Sequence, residues 1–254
     1  MQIRVLGCYG GELPGLKTSS FLLNNSIVVD AGSITSSLSY KEQTQIKAVL
    51  LSHSHIDHVK DIGFLADNVF GRIKNPIKLV SIPEVLNILK RHFLNGKLWP
   101  DFTAVPDKKN PVYKLTPIVP MKPMKINGLK VKAVKVNHTV DAVGFIISDN
   151  RGSIVYSGDT GPTDLLWKEA NKLNSLSGVL LETSFPNSMV DFSNRVGHFS
   201  PCTLEVEIKK IRKRTVPVYI YHLKPQFDGV IKREIKAIGN SKIKILSQGM
   251  TLYL

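Results

Sequence analysis

Three histidines and one aspartate lie within a six-residue stretch of the sequence that reads HSHIDH. They are His53, His55, Asp57 and His58. Imidazole and carboxylate groups are common protein ligands of zinc, iron and manganese. His53 and His55 are two residues apart, so an extended backbone turns both rings to the same side. Asp57 and His58 follow where the chain turns into a predicted helix. The spacing predicts a site for one metal ion or two adjacent ions, and the alternative is a solvated polar loop.

Further residues of the same chemical types end other apolar segments. Asp30 ends SIVVD, His138 ends LKVKAVKVNH, Asp159 ends SIVYSGD and His222 ends PVYIYH. Side chains at the ends of strands collect at the edge of a sheet, where active sites commonly form. A single histidine in such a position is more often structural, but together with the HSHIDH stretch these residues predict one shared site.

The elements that must position these residues are short strands and helices. Short runs rich in Val, Ile and Leu, separated by Gly, Asn and Asp, indicate strands. We predict strands at 2–7, 19–25, 26–32, 46–54, 129–138, 144–149, 153–159, 178–184 and 217–223, with one or two more within 243–254. We predict helices at 57–70, 83–95, 162–173, 200–214 and 229–239, and a long Pro-rich loop at 96–123. This order favours two mixed sheets packed together, with helices outside.

Composition limits the classes of protein that remain. The chain has 254 residues, 43% hydrophobic and 21% charged, which excludes a disordered or fibrous protein. No Gly/Ser linker or low-complexity tract divides it, so we expect one domain over 1–254. No apolar run approaches the ~18 residues of a membrane span, and the first residues resemble a strand rather than a signal peptide, so we expect a cytoplasmic protein without membrane contact. Two cysteines are too few for a disulfide framework or a cysteine-based metal cluster.

The formal net charge of +14 favours an anionic partner, or alternatively reflects a generally basic surface. Much of the excess lies within 205–244, where Glu205 and Lys209 are spaced as neighbours on one predicted helix. A solvated helix face accounts for that stretch. No aromatic residues alternate with the basic ones there, which argues against a nucleic-acid groove.

The whole set of histidines and aspartates resembles the metallo-β-lactamase superfamily, whose members carry an H-x-H-x-D-H motif, two further histidines and a bridging aspartate. The resemblance implies an αββα sandwich of two mixed sheets, with a two-metal site at one edge. Zn²⁺ is the first expectation for both ions, with Mn²⁺ and Fe²⁺ as alternatives. The resemblance implies that His53, His55 and His138 hold one ion, that Asp57, His58 and His222 hold the second, that Asp159 bridges them, and that Asp30 supports the ligands by hydrogen bonds.

Finer segments resemble the class II 3′,5′-cyclic nucleotide phosphodiesterases. They are LWPDF at 98–102, VNHT at 136–139, SGDTGPTDLLW at 157–167, ETSFPN at 182–187 and GHFSP at 197–201. Ile56 stands where that family usually has leucine in the histidine motif, which is a conservative change. The resemblance implies hydrolysis of cyclic AMP or cyclic GMP to nucleoside 5′-monophosphates. In such a reaction Asp57 is expected to orient the attacking water. His198 is not needed as a ligand and is expected, held by Glu182, to protonate the leaving oxygen, as a similar Glu–His pair does in the related tRNA 3′-processing nucleases; the alternative for His198 is a structural residue of the turn that leads into a helix.

Other functions remain as alternatives. An endoribonuclease of the tRNA 3′-processing type would account for the basic charge, but the sequence has no inserted Gly/Pro-rich arm for gripping tRNA. A thioester hydrolase of the glyoxalase II type would not need the GHFSP segment. A binding protein on a decayed enzyme fold would be expected to have lost ligands, and none is missing here. Whether the chain forms a homodimer is left open.

Several residues have both a structural and a functional interpretation. Trp99 and Phe102 could stack on a base, or else anchor the long loop to the core. Gly10 and Gly11 could approach a phosphate. His92, inside a predicted helix, is expected to be structural. The two cysteines are Cys8 and Cys202, and both are expected to be small packing residues.

Overall fold

Two seven-stranded sheets face each other in the computed structural model, which describes residues 1–254. The first sheet has the strand order β14-β1-β2-β3-β4-β5-β6, and the second has the order β13-β12-β11-β10-β9-β8-β7. The strands are β1 (Gln2–Gly7), β2 (Ser20–Leu23), β3 (Ile27–Val29), β4 (Ala48–Leu50), β5 (Ile77–Ser81), β6 (Tyr113–Pro117), β7 (Met124–Ile126), β8 (Leu129–Lys135), β9 (Val143–Ser148), β10 (Ser153–Tyr156), β11 (Leu176–Glu182), β12 (Val218–Tyr221), β13 (Ile243–Ile245) and β14 (Thr251–Tyr253).

The helices lie outside the two sheets. They are α1 (Tyr40–Gln43), α2 (Ile56–Val59), α3 (Asp61–Val69), α4 (Pro83–Ile88), α5 (Leu165–Ala170), α6 (Val190–Arg195), α7 (Pro201–Ile208) and α8 (Asp228–Ala237). Short 3-10 turns cover Asn187–Met189 and Pro225–Phe227, and a π-helical turn covers Leu89–Phe93. The predicted architecture of two mixed sheets with helices outside is confirmed. None of the helices has the length and apolar character that crossing a membrane requires.

The central strands are apolar along their whole length because both of their faces are covered. Every residue of β2, β3, β4, β10 and β12 is buried, since one face packs on the opposite sheet and the other lies under helices or loops. β8 instead alternates between buried and exposed residues over much of its length. A single cluster of 69 buried hydrophobic residues spans both sheets.

The predicted helix at 57–70 is wrong as one element, because it consists of two helices that meet at Lys60. At this break the chain bonds to the loop that follows β3. The Ala31 amide donates to the His58 carbonyl at 2.6 Å, and the Asp61 amide donates to the Ala31 carbonyl at 2.9 Å. The break therefore ties the histidine motif to the neighbouring strand end.

The structure adds strands that the sequence patterns did not indicate. β5 and β6 continue the first sheet in parallel, and β7 borders the second. β6 lies within the predicted loop at 96–123, so that prediction is wrong for Tyr113–Pro117. Its sequence, YKLTP, is polar and ends in proline, which a strand at the edge of a sheet tolerates. α1 and α6 were not predicted either. The predicted helix at 200–214 begins at Pro201 as expected but ends at Ile208.

Candidate metal centre

The candidate site residues lie at one edge of the two sheets, at the ends of strands that run in the same direction. Within the first sheet, β3 and β4 are parallel, and they lead to Asp30 and to the His53–His58 stretch. Within the second sheet, β10, β11 and β12 are parallel, and β8 runs in the same direction because β9 is antiparallel to both β8 and β10. These strands lead to His138, Asp159, Glu182 and His222. The carboxyl ends of parallel strands share one edge, which brings these side chains together.

One group at this edge consists of His53, His55 and His138. Their ligand atoms all lie within 4.8 Å of one another. The Nε2 atom of His138 is 3.2 Å from Nδ1 of His55. His53 is fully buried, whereas His55 and His138 are partly exposed. This trio could hold one metal ion, open to solvent on the side of His55 and His138.

A second group consists of Asp57, His58 and His222, again with ligand atoms within 4.8 Å of one another. The Nε2 atoms of the two histidines are 3.1 Å apart, and His222 Nε2 is 3.4 Å from Asp57 Oδ2. The histidines are buried, and the Asp57 side chain is 22% exposed. This trio could hold another ion, with Asp57 at its solvent side.

Asp159 lies between the two groups. Its Oδ2 atom is 3.1 Å from His222 Nε2, 3.2 Å from His58 Nε2 and 3.7 Å from His53 Nε2. Its other oxygen, Oδ1, is buried without a hydrogen-bond partner, and so is His53 Nε2. Buried polar atoms are nearly always paired, so two unpaired ones at the same place call for a partner. Divalent metal ions match this donor set of imidazole nitrogens and carboxylate oxygens.

Each of four histidines points Nε2 toward the cluster because its Nδ1 atom faces a partner outside it. Such outer partners orient metal-binding imidazoles. The Nδ1 partners are Ser52 Oγ for His53 at 2.9 Å, Asp30 Oδ2 for His58 at 2.7 Å, the Gly197 carbonyl for His138 at 3.0 Å and Ser184 Oγ for His222 at 2.9 Å. The arrangement leaves Nε2 of all four rings available for a metal.

Asp30 lies outside the two trios and supports them through hydrogen bonds. Its carboxylate faces His58 Nδ1 and accepts hydrogen bonds from the Ser52 amide and hydroxyl, both at 2.8 Å, and from the Tyr156 hydroxyl at 2.5 Å. The residue is fully buried and has a φ of 56°, an uncommon conformation for a residue other than glycine. These four contacts keep Asp30 in this strained backbone conformation.

Burial and neighbouring charges set the protonation states of the cluster. Burial lowers the pKa of His53 well below its usual range, and burial also lowers the pKa of His55 and of His138. Burial opposes the ionised form of Asp57, but the nearby His58 and His222 outweigh it and lower the pKa of that carboxyl. For these residues the favoured forms, neutral imidazole and ionised carboxylate, are the ones that bind metal. His58 differs, because its burial is outweighed by the carboxylates of Asp159, Asp30 and Asp57, which raise its pKa.

His198 and Glu182 form a buried pair beside the two trios. The His198 Nδ1 atom is 2.8 Å from Glu182 Oε1, and the fully buried carboxylate also accepts hydrogen bonds from the Thr160 amide and the Ser184 hydroxyl. Burial lowers the pKa of His198, but the charge and hydrogen bond of Glu182 outweigh it, so the pKa of His198 is raised. The ring of His198 stacks on His222 at 5.5 Å between centroids.

His198 could also serve as a metal ligand. Its ligand atom lies within 4.8 Å of those of His138 and Asp159 and also forms a group with Glu182 and His222. Its Nδ1 atom, however, is already held by the Glu182 carboxylate.

Several contributing residues were missed by the sequence patterns. Ser52, Ser184 and Tyr156 contact the cluster only through hydrogen bonds, so they carry no spacing signal of their own. Ser52 directly precedes the histidine motif, and Ser184 lies inside the ETSFPN segment, which are the only local hints.

Gly10, which could also approach a phosphate, packs against His222. A Cβ atom at position 10 would lie 2.5 Å from the His222 carbonyl and 2.6 Å from its Nδ1 atom. The amide of His222 donates to the Cys8 carbonyl at 2.6 Å, and His222 has a φ of 70°. Glycine is therefore needed at position 10 to let the chain pass His222.

The remaining candidate residues lie away from the cluster or serve packing. Phe102 is buried, which fits an anchor of the loop rather than a stacking platform. Trp99 is partly buried against the core. His92 is exposed on the π-helical turn. Cys8 is buried, but Cys202 is exposed, so the expectation of a packing role is wrong for Cys202.

Comparisons with known proteins agree with this geometry. The family described as "Beta-lactamase superfamily domain" matches residues 25–218. A relative from Yersinia pestis, named "Probable 3′,5′-cyclic-nucleotide phosphodiesterase", is 24% identical over 277 residues, covering 89% of this chain and 79% of that protein.

Two solved structures share the fold. Unliganded yeast PDE1 superimposes with a TM-score of 0.83 at 19% identity, covering 100% of this chain and 99% of the other. The short form of human tRNase Z, ELAC1, has a TM-score of 0.71 at 15% identity, covering 100% of this chain and 99% of that one. Because the family match spans most of the chain and carries the histidine motif with it, this protein belongs to the beta-lactamase superfamily.

Proposed function

We propose that this protein is a metal-dependent phosphodiesterase that hydrolyses 3′,5′-cyclic nucleotides to nucleoside 5′-monophosphates. The observation that carries the proposal is the buried Glu182–His198 pair beside the two trios, at 2.8 Å. It supplies a proton donor in addition to a complete metal-binding set. The relative from Yersinia pestis, named for this activity, supports the choice of substrate.

In this proposal two divalent ions, Zn²⁺ first among them, are held by the residues at the sheet edge. His53, His55 and His138 would hold one, Asp57, His58 and His222 would hold the other, and Asp159, between the two groups, would be shared by them. When bound, such ions neutralise phosphate oxygens and lower the pKa of water. The two unpaired buried atoms, His53 Nε2 and Asp159 Oδ1, support this assignment.

The side chains of the protein then direct the reaction. Asp57 is the least buried carboxylate among the cluster residues, and it accepts a hydrogen bond from the attacking water and orients it toward phosphorus. As the water oxygen bonds to phosphorus, the water releases one proton to solvent, and the bond between phosphorus and the 3′ oxygen breaks. His198 donates a proton from Nε2 to that oxygen, while Glu182 holds Nδ1 and stabilises the charged ring. The product is a 5′-monophosphate with a free 3′ hydroxyl.

A tRNA 3′-processing endoribonuclease is the second candidate. The net charge of +14 would suit an RNA partner, and the human tRNase Z fold is shared. The segments at 98–102 and 182–187 resemble the cyclic nucleotide enzymes instead, which is why we rank this activity second.

One assay separates the two candidates. Protein loaded with zinc or manganese is incubated with cyclic AMP, cyclic GMP, a 2′,3′-cyclic nucleotide and a pre-tRNA, with an Asp159→Asn variant as the inactive control. We expect 5′-AMP or 5′-GMP from the 3′,5′-cyclic substrates. Cleavage of the pre-tRNA without turnover of either cyclic nucleotide would reverse the ranking.

A further inference from the structure

A series of aromatic rings extends from His198 toward the surface. The ring centroids of His198 and Phe185 are 5.7 Å apart, and those of Phe185 and Phe192 are 5.2 Å apart. Phe227 flanks Phe185 on another side at 6.4 Å. His198 and Phe185 are both buried, at 7% and 8% exposure, and Phe192 is 39% exposed. The series therefore connects the proposed proton donor with solvent.

The position of this series matches the shape of the proposed substrate. His198 would contact the 3′ oxygen of the ribose, and the base is attached to the same sugar ring. If the base lies on the side of His198, the ring of this series that it can reach is the exposed ring of Phe192. Aromatic side chains bind bases by stacking, which is tolerant of base identity.

We propose that the exposed ring of Phe192 receives the nucleobase, while the buried ring of Phe185, packed against Phe192 and Phe227, holds it in position. This inference rests on the proposed function. Arg195 lies over the ring of Phe192, with 5.8 Å from its guanidinium carbon to the ring centroid. The guanidinium covers one face of that ring, so a base would stack on the opposite face.

The other aromatic surface near the motif is less suited to this role. Trp99 lies against α3, where a Cβ on Gly63 would be 3.0 Å from its ring, and Phe64 packs on it edge to face at 5.2 Å. Phe102 is only 4% exposed and lies near Phe70. Phe64 and Phe70 have the exposed rings on that side, so either could offer a competing platform.

The experiment uses the full-length, metal-loaded protein with substitutions at Phe192. Kinetics are measured with cyclic AMP and with a 3′,5′-cyclic phosphate of ribose that carries a methoxy group in place of the base. Calorimetry measures binding of 5′-AMP and of ribose 5-phosphate. The variants are Phe192→Ala, Phe192→Leu, which keeps apolar packing without a ring, and Phe192→Tyr, which restores a ring. Phe64→Ala and Phe70→Ala test the competing platforms, and Tyr253→Ala, at a 79% exposed position on β14, is the control.

We expect Phe192→Ala and Phe192→Leu to raise the KM for cyclic AMP and the Kd for 5′-AMP by about 5- to 150-fold, near the lower end because the ring is partly exposed. Phe192→Tyr should restore both values, and the base-free compounds should be unaffected. Unchanged 5′-AMP binding in Phe192→Leu would overturn the proposal, as would equal losses for the base-free compounds or a loss confined to Phe64→Ala or Phe70→Ala.

The calorimetry keeps this inference separate from the proposed function. In one outcome, the wild-type protein turns over no cyclic nucleotide, while Phe192→Leu still weakens binding of 5′-AMP and leaves binding of ribose 5-phosphate unchanged. That result would contradict the proposed activity and support the base-binding surface.

Discussion

Replacing His198 with alanine tests the assignment of the proton donor. The ring is held by Glu182 at 2.8 Å and is 7% exposed, so the protein, rather than solvent, positions it. A positioned general acid contributes ~10²–10⁴-fold to rate. That factor corresponds to about 2.7–5.4 kcal/mol of transition-state stabilisation, at about 1.36 kcal/mol for each tenfold. We expect His198→Ala to lower turnover of cyclic AMP by this factor while both metal ions stay bound.

The assay compares two leaving groups. The ribose 3′ oxygen needs a proton as its bond to phosphorus breaks, whereas p-nitrophenolate leaves readily without one. The loss in His198→Ala should therefore shrink strongly for a p-nitrophenyl phosphodiester. His92→Ala is the matched control, because that histidine is exposed on the π-helical turn and should leave both rates unchanged.

Glu182→Gln adds a test by pH. It removes the charge that raises the pKa of His198, so the pKa of the ring should fall. An acid must be protonated to act, and activity is lost as the pH rises through its pKa. The alkaline limb of kcat should therefore move to lower pH. Equal losses on the two substrates in His198→Ala, or loss of a metal ion, would refute the assignment and leave His198 as a ligand or a structural residue.

Three further outcomes follow from contacts in the structure. Elemental analysis of wild-type protein should find close to two metal equivalents, and His222→Ala should weaken metal binding at one of the two sites. Wild-type protein that binds no metal after dialysis against zinc or manganese would contradict the proposed chemistry. Glu207→Ala removes a buried hydrogen-bond acceptor that lies 2.6 Å from Trp167 Nε1. Chemical denaturation should therefore show a free energy of unfolding lower by about 1–3 kcal/mol, and an unchanged denaturation midpoint would contradict this expectation. A thiol reagent at neutral pH should modify only the exposed Cys202, because Cys8 is buried and burial raises its pKa to about 12. Modification of two thiols in the folded protein would contradict this expectation.

The strands that build the sheet edge could be predicted because their signal is local. An apolar run such as 47–52, followed at once by His53, shows both the strand and the group it delivers. β6 could not be predicted in this way, because YKLTP has little apolar character and becomes a strand only by pairing in parallel with β5. Pairing with the neighbouring strand, rather than the sequence of the segment, makes Tyr113–Pro117 a strand.

The outer contacts of the cluster were also beyond sequence patterns. The Tyr156 hydroxyl reaches Asp30 across 126 positions of sequence, and the Ser184 hydroxyl faces the Nδ1 atoms of His198 and His222. Serine and tyrosine are common residues, and their types alone do not indicate such a role. Only the packing of the two sheets shows which of them lie within hydrogen-bond distance.

The sequence by itself determined which chemical groups this protein offers and the strand end at which each one lies. Residue types and the spacing of HSHIDH are local properties, and so is the change from an apolar run to a polar residue. The tertiary structure decided which groups meet, because His58 and His222 are separated by 164 positions and follow strands of different sheets, yet their Nε2 atoms lie 3.1 Å apart. That distance depends on how the two sheets pack face to face, and no local pattern encodes it.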